Sequence, residues 1–232
     1  VVVPYLVKFG SEDQKRKWLP RMVSGEVVTC IGMTEPDTGS DLQAITTHAE
    51  LDGNHYLING QKTFTSNSYY GDMVLTAVKT DRGYGAKGIS LLIVETDREG
   101  FSRGQKTRKV GLHAMDQTQL YLEDVRVPAT HMVGEEGRGF EYMMENLAQE
   151  RLAIAVSSIS HAEAALGWTI EFVKNRKAFG RPVMDFQNTQ FKLAELKTEI
   201  TIGRVFVDHC LALHVVGALD ASKASMAKYW LS

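Results

Sequence analysis

The spacing of hydrophobic and polar positions changes twice along the chain, and each zone predicts a different kind of structure. Residues 1–27 have helical spacing. Ser11 followed three residues later by Gln14 is a capping-box signal for a helix start, and a short apolar stripe follows around Trp18. Pro20 lies within that stripe, so we expect a kink or a break there.

Residues 28–133 consist of short β-branched and alternating segments, which are typical of strands. Asp52-Gly53 and Asn59-Gly60 are two-residue turn signals between such segments, and each predicts a hairpin. No helical pattern interrupts this zone. We therefore predict an antiparallel β-barrel or sandwich.

After a glycine-bearing loop, the period becomes helical again from residue 140. No proline interrupts residues 140–179, which predicts one very long helix or two consecutive ones. A second helix is predicted over 185–216, and a third begins at Asp220. Long antiparallel helices with uncovered apolar faces belong in a bundle, which is incomplete here. The predicted fold class is therefore α+β, and we expect the chain to be a piece of a longer protein.

The composition is that of an ordinary globular protein: 44% of the 232 residues are hydrophobic and 23% are charged, with a net charge of −2. This balance argues against a nucleic-acid partner. No apolar run approaches the roughly 20 residues that cross a bilayer, so no membrane partner is expected. Two distant cysteines and seven scattered histidines give no disulfide framework and no metal spacing. Metal ligands are therefore not predicted.

Two segments of the strand zone carry candidate chemistry. The loop Met33–Asp41 is dense in hydroxyls and backbone donors that could bind a ring or a phosphate, or it is an ordinary polar loop. In the segment Lys62–Asn67, Phe64 lies beside hydroxyls and could stack on a flat ligand. The alternative is a strand that places Phe64 in the core.

Two further segments belong to the helical zone. By spacing, Glu150 shares a helix face with Met143, Leu147 and Ile154, and burial on that face would raise its pKa toward the range of a general base. The alternative is a structural ion pair. Arg176, in the basic turn between two long helices, could grip a pyrophosphate or simply complement a helix C-terminus. The motifs of serine hydrolases and of Rossmann folds are absent.

Together, these segments resemble the acyl-CoA dehydrogenase family. Three blocks carry the resemblance: Met33-Thr-Glu-Pro-x-x-Gly-Ser-Asp; Asp52-Gly-x-x-Tyr-x-Ile-Asn-Gly-x-Lys followed by Phe64-Thr-Ser-Asn; and Phe179-Gly followed by Gln187. The resemblance extends across all 232 residues. Gln149-Glu-Arg-Leu and Arg176-Lys-Ala-Phe-Gly are most similar to the long-chain type.

The resemblance implies three domains. Residues 1–27 would end an N-terminal helical domain, residues 28–133 would form the middle β-domain, and residues 134–232 would begin a C-terminal four-helix bundle. The rest of both helical domains would lie outside this chain.

The resemblance also implies FAD as the cofactor. The loop from Ile31 to Ser40 would follow the flavin pyrimidine edge, where Met33 and Thr34 would contact N1 and O2 and stabilise negative charge on the reduced ring. Phe64 would lie against the ring, with Ser66 bonded to N5. The remaining implied cofactor contacts are Thr65, and, toward the neighbouring subunit's FAD, Arg176, Phe179 and Gln187. A homo-oligomer, a dimer of dimers, is therefore implied.

For catalysis, the resemblance implies that Glu150 is the base, because the long-chain and isovaleryl-CoA types carry their glutamate immediately before an Arg. Arg151 and Gln149 would lie on the substrate side, and Ser40 would contact the pantetheine arm. Ala148 replaces an Asp that binds this arm in some members, so that contact is not expected.

The implied reaction is α,β-dehydrogenation of an acyl-CoA to trans-2-enoyl-CoA. Electrons would pass to electron-transferring flavoprotein, in a bacterial cytoplasm or the mitochondrial matrix. An isovaleryl-CoA-type dehydrogenase, an acyl-CoA oxidase, a non-catalytic relative and a purely structural domain remain alternatives.

Overall fold

The structure, a computed structural model, describes residues 1–232. Two helices, α1 (Val2–Phe9) and α2 (Glu12–Ser24), begin the chain. The predicted capping box is confirmed: Gln14 N donates to Ser11 Oγ at 3.2 Å, and Ser11 N donates to Gln14 Oε1 at 3.1 Å. The helix continues through Pro20 to Ser24, so a break at Pro20 is not observed.

Seven strands follow: β1 (Thr29–Gly32), β2 (His48–Asp52), β3 (His55–Ser66), β4 (Met73–Lys79), β5 (Ile89–Glu95), β6 (Phe101–Arg103) and β7 (Gln117–Pro128). They form one sheet in the order β1-β4-β2-β3-β7-β6, and β5 pairs with β4. Most pairs are antiparallel, as predicted, but β4 is parallel to both β1 and β2. The α+β class is confirmed, although the sheet is mixed rather than wholly antiparallel.

One of the two predicted hairpins is wrong. Asp52-Gly53 does connect β2 to β3, since Asp52 pairs with His55. In contrast, β3 runs straight through Asn59 and Gly60, where the register with β7 shifts. Asn59 exchanges two hydrogen bonds with Asp124 at this bulge, at 2.8 and 2.9 Å. The Asn-Gly pair therefore accommodates an irregularity within a sheet and does not form a turn.

Two chain segments approach each other so closely at position 60 that the residue there must be a glycine. Its φ is +145°, and a Cβ built there would lie 2.5 Å from Thr47 Oγ1 and 2.6 Å from Thr47 Cα. The absence of a side chain lets the segment before β2 lie directly against β3.

The strand core is buried on both faces of β4 and β5. Met73, Leu75 and Ile93 pack in one cluster with residues of α1 and α2. Val78 and Leu92 pack in a second cluster with residues of β3 and β7. All seven residues of β4 are buried, so its sequence does not alternate between apolar and polar positions and is mostly apolar, with Thr76 and Lys79 as the polar members.

The chain divides into two compact units, Val1–Glu145 and Asn146–Ser232. One uninterrupted helix, α3, spans Gly139–Asn175, which decides between one long helix and two. It is followed by a small hairpin of β8 (Lys177–Ala178) and β9 (Arg181–Pro182), then by α4 (Gln187–Val215) and α5 (Ala221–Leu231). Asp220 caps α5, as its position predicts. The three-domain division remains a prediction.

The core of the second unit is a stripe of small and medium side chains. It consists of Leu152, Ala155, Ile159, Val207, Cys210 and Ala227. In neither unit does a helix have the length and apolar character needed to span a membrane.

Candidate functional site

A buried ion pair fixes the loop that follows β1. Lys62 Nζ donates to Glu35 Oε1 at 2.8 Å, and both side chains are almost fully buried. The Glu35 carboxylate also accepts hydrogen bonds from Thr46 N at 2.6 Å, Thr46 Oγ1 at 2.7 Å and Thr47 N at 3.0 Å. This carboxylate therefore ties the residues after β1 to those before β2.

Both partners of this pair have shifted pKa values. Burial alone would raise the pKa of Glu35, but Lys62 and the hydrogen bonds from Thr46 and Thr47 outweigh it and hold that pKa at about 2. Burial lowers the pKa of Lys62 to about 8, although Glu35 opposes this effect. Each group is therefore charged at neutral pH.

Contacts from β3 bring the first two candidate segments together. Lys62 Nζ donates to the Met33 carbonyl at 3.3 Å, and Thr63 N donates to the Thr34 carbonyl at 2.8 Å. Glu35 and Thr38 exchange backbone hydrogen bonds at 2.9 and 3.1 Å, which closes a tight turn. The predicted residues Ile31, Met33 and Thr34 are half-buried, and Ser40 is exposed.

The second segment ends in an irregularity that turns an aromatic ring outward. The register between β3 and β7 shifts between Lys62 and Thr65, so one extra residue is accommodated on β3. Phe64 adopts a left-handed φ of +54° and is 62% exposed. The alternative that placed Phe64 in the core is therefore wrong. Ser66, half-buried, ends the strand beside Gln117.

Thr65 differs from its neighbours because its side chain points inward. It is buried, and its Oγ1 has no hydrogen-bond partner. A buried hydroxyl without a partner is unusual in a protein interior.

Glu35 and Lys62 lie within the family motifs, but the sequence analysis assigns neither residue a role. The sequence nevertheless indicates that Lys62 is buried. Tyr56, Ile58 and Lys62 lie an even number of residues apart on β3, so Lys62 occupies an inward position of the strand. A charged residue at such a position requires a buried partner.

In the second unit, Glu150 lies on α3 and is half-buried. On the face that it is predicted to share, Met143 is buried and Leu147 is half-buried, whereas Ile154 is 47% exposed. The helix instead buries Leu152, Ala155 and Ile159, a stripe that is displaced around the axis from Glu150. Beside it, Arg151 Nη1 donates to Ser225 Oγ at 3.1 Å, whereas Gln149 is exposed.

The hairpin after α3 displays a phenylalanine at its tip. Phe179 and Gly180 have left-handed φ values of +54° and +78°, and Phe179 is 95% exposed. A non-glycine residue in this region is strained. Arg176, just after α3, and Gln187, at the start of α4, are exposed on the same unit.

Three family models match consecutive stretches of the chain: the N-terminal domain of acyl-CoA dehydrogenase at residues 1–26, the middle domain at 30–125 and the C-terminal domain at 137–232. The chain therefore belongs to the acyl-CoA dehydrogenase family, a family of oxidoreductases, as the resemblance predicts.

Within that family, the chain is similar to the long-chain type. The mitochondrial long-chain specific acyl-CoA dehydrogenase of Sus scrofa is 46% identical over 234 residues, which are 100% of this chain and 54% of the relative. An acyl-CoA dehydrogenase structure from Geobacillus kaustophilus has a TM-score of 0.97 at 49% identity and is matched over 61% of its chain by 100% of this one. The chain thus spans about half the length of the curated relatives it matches.

A third comparison concerns the cofactor. A glutaryl-CoA dehydrogenase from Mycobacterium smegmatis, solved in complex with FADH2, has a TM-score of 0.89 at 30% identity. The match covers 96% of this chain and 56% of that one. The predicted cofactor, FAD, agrees with the ligand of this relative.

Proposed function

We propose that the protein catalyses FAD-dependent α,β-dehydrogenation of an acyl-CoA thioester, with a trans-2-enoyl-CoA as product. The observation that carries this proposal is the contact between the loop after β1 and the end of β3, made by Lys62 and Thr63. That contact places a polar loop edge beside an outward aromatic ring, in a chain of the acyl-CoA dehydrogenase family.

The residues present fit a flavin, which is a flat ring with a polar edge. Exposed Phe64 offers an aromatic surface for stacking. Half-buried Met33 and Thr34 offer donors to the pyrimidine edge, and Ser66 offers a hydroxyl to N5. The remaining proposed contacts in this unit are Ile31 and Thr65. When bound, FAD accepts the hydride that leaves the β-carbon of the substrate.

Glu150 is the proposed base. Its carboxylate takes the α-proton of the thioester, and the electron pair of that α C–H bond forms the C=C bond as the hydride leaves the β-carbon with the electron pair of its own C–H bond. Arg151, held by Ser225, fixes the helix surface beside the base. Gln149 and Ser40, both exposed, are proposed to contact the substrate, with Ser40 at the pantetheine arm.

The hairpin after α3 is proposed to reach the FAD of a neighbouring subunit. Arg176, Phe179 and Gln187 are all exposed in the single chain, and a strained aromatic residue at a hairpin tip is a costly feature without a partner. This supports a subunit contact at the hairpin, and the assembly that we propose, following the family resemblance, is a homo-oligomer, a dimer of dimers.

The type of substrate and the electron acceptor are further parts of the proposal. The similarity to the long-chain type favours a long acyl chain, and electron-transferring flavoprotein is the proposed acceptor. The mitochondrial and bacterial relatives support a mitochondrial matrix or bacterial cytoplasmic location. An isovaleryl-CoA-type enzyme is the second candidate, because the resemblance gives it the same glutamate position.

The test is steady-state turnover with an artificial electron acceptor, using protein expressed from the complete gene. Glu150→Gln is compared with wild type, and Glu171→Gln, an exposed glutamate on the same helix, is the matched control. We expect Glu150→Gln to keep its flavin and lose at least about a hundredfold in turnover, the typical contribution of a general base. Glu171→Gln stays active.

The outcomes separate the alternatives. An active Glu150→Gln enzyme would show that the base lies elsewhere. Oxygen consumption without a protein acceptor would identify an oxidase. Wild-type protein that binds flavin but turns over neither palmitoyl-CoA nor isovaleryl-CoA would indicate a non-catalytic relative, and protein without flavin would indicate a structural domain.

A further inference from the structure

The ammonium of Lys62 lies between a charged hydrogen-bond acceptor and a neutral one. It donates to the Glu35 carboxylate at 2.8 Å and to the Met33 carbonyl at 3.3 Å. The stem of Lys62 packs against β1, since a Cβ built at Gly32 would lie 3.1 Å from Lys62 Cγ. The strand and this packing therefore deliver the ammonium to one particular peptide group, the Met33–Thr34 peptide.

That contact changes the peptide as a donor. The Met33 carbonyl and the Thr34 N–H belong to the same peptide group, so a cation bonded to the oxygen withdraws electron density from the nitrogen. Hydrogen bonds in series polarise one another, and they do so more strongly in a medium of low dielectric constant. Lys62 has no exposed surface, so water does not screen this effect.

The negative charge of Glu35 does not cancel the effect of the Lys62 ammonium on the Met33–Thr34 peptide. Glu35 also receives hydrogen bonds from Thr46 N, Thr46 Oγ1 and Thr47 N, so part of its charge is stabilised on the side of those residues. Only the ammonium donates a hydrogen bond to Met33 O among the contacts of this pair.

We propose that Lys62, held by Glu35, raises the reduction potential of the bound flavin through the Met33–Thr34 peptide. This inference rests on the proposed function, in which this peptide donates to the flavin edge that becomes negative on reduction. Lys62 is a positioning residue, because it acts through the peptide and does not touch the cofactor.

The experiment is a redox titration of the holoenzyme, expressed from the complete gene, with flavin content and melting temperature measured alongside. Lys62→Gln keeps a donor but removes the charge, and Lys62→Arg keeps the charge. Lys79→Met is the matched control, because Lys79 is also a buried lysine whose Nζ donates to a carbonyl, that of Gly85 at 2.7 Å.

We expect Lys62→Gln to bind reduced flavin at least tenfold more weakly relative to oxidised flavin, which lowers a two-electron potential by about 30 mV. Lys62→Arg recovers the wild-type potential, and Lys79→Met lowers the melting temperature without changing the potential. A wild-type potential in flavin-loaded Lys62→Gln would overturn the inference. Loss of flavin from both Lys62 variants would overturn it as well, because Lys62 would then act only in folding. Wild-type protein without flavin would instead refute the proposed function.

Discussion

The close approach at Gly60 gives the sharpest test of the described packing. In Gly60→Ala, the new methyl group would lie 2.6 Å from Thr47 Cα, a backbone atom that cannot rotate away. Overpacking of this kind costs about 1–3 kcal/mol. The φ of +145° adds a strain of about 1–3 kcal/mol for a residue with a side chain. We therefore expect the free energy of unfolding to fall by about 2–6 kcal/mol.

Two glycines of the same unit serve as controls. Gly53 has a φ of +63° with nothing near its missing Cβ, so Gly53→Ala measures strain alone, about 1–2 kcal/mol. Gly39 has open space and no left-handed φ, and Gly39→Ala is expected to change stability by at most about 0.5 kcal/mol.

The assay is urea denaturation followed by far-UV circular dichroism, with midpoints compared at constant slope. The order of destabilisation should be Gly60, then Gly53, then Gly39. A Gly60→Ala variant no less stable than Gly53→Ala would refute the close approach to Thr47. Flavin content is a second readout, because Thr47 also binds the carboxylate of Glu35 and a displaced Thr47 would loosen that loop.

Two further predictions concern the ion pair and the hairpin. The pKa of Glu35, about 2, lies below its ordinary value of 4.5, so this residue contributes stability above pH 4.5 that is lost as the pH falls toward 2. In acid titrations of the melting temperature, Glu35→Gln should lack this part of the decline, and an unchanged acid limb would contradict the pair. Phe179→Gly relieves left-handed strain of about 1–2 kcal/mol, so it should leave stability equal or higher while the oligomer loses flavin. Full flavin retention in the purified oligomer would show that Phe179 is not a cofactor contact.

Helix caps and tight turns could be predicted from the sequence wherever a few neighbouring residues determine the local backbone conformation. The Ser11 capping box, the Asp52-Gly53 hairpin and the Asp220 cap each satisfy backbone groups within a few positions of themselves. The long helical period of α3 was equally clear, because nothing in residues 140–175 breaks it.

Tertiary contacts explain what could not be predicted. Asn59-Gly60 has the composition of a turn, but its conformation is determined by contacts outside the dipeptide, with Thr47 on the preceding segment and with Asp124, 65 positions beyond Asn59. Likewise, Lys62 and Glu35 are separated by 27 positions, so their pairing depends on how the sheet folds. The outward position of Phe64 results from a bulge whose partner strand is β7.

On the proposed function, the length of α3 determines which subunit contributes each residue to an active site. At a rise of 1.5 Å per residue, the helix separates Glu150 from its end at Asn175 by about 38 Å. On the proposed function, one chain therefore cannot supply both the base and the hairpin side chains to a single flavin. A subunit that lacks Glu150 would still complete the cofactor site of its neighbour. Mixed oligomers of this variant and a variant defective at Arg176 would therefore contain some active sites, although each variant alone is inactive.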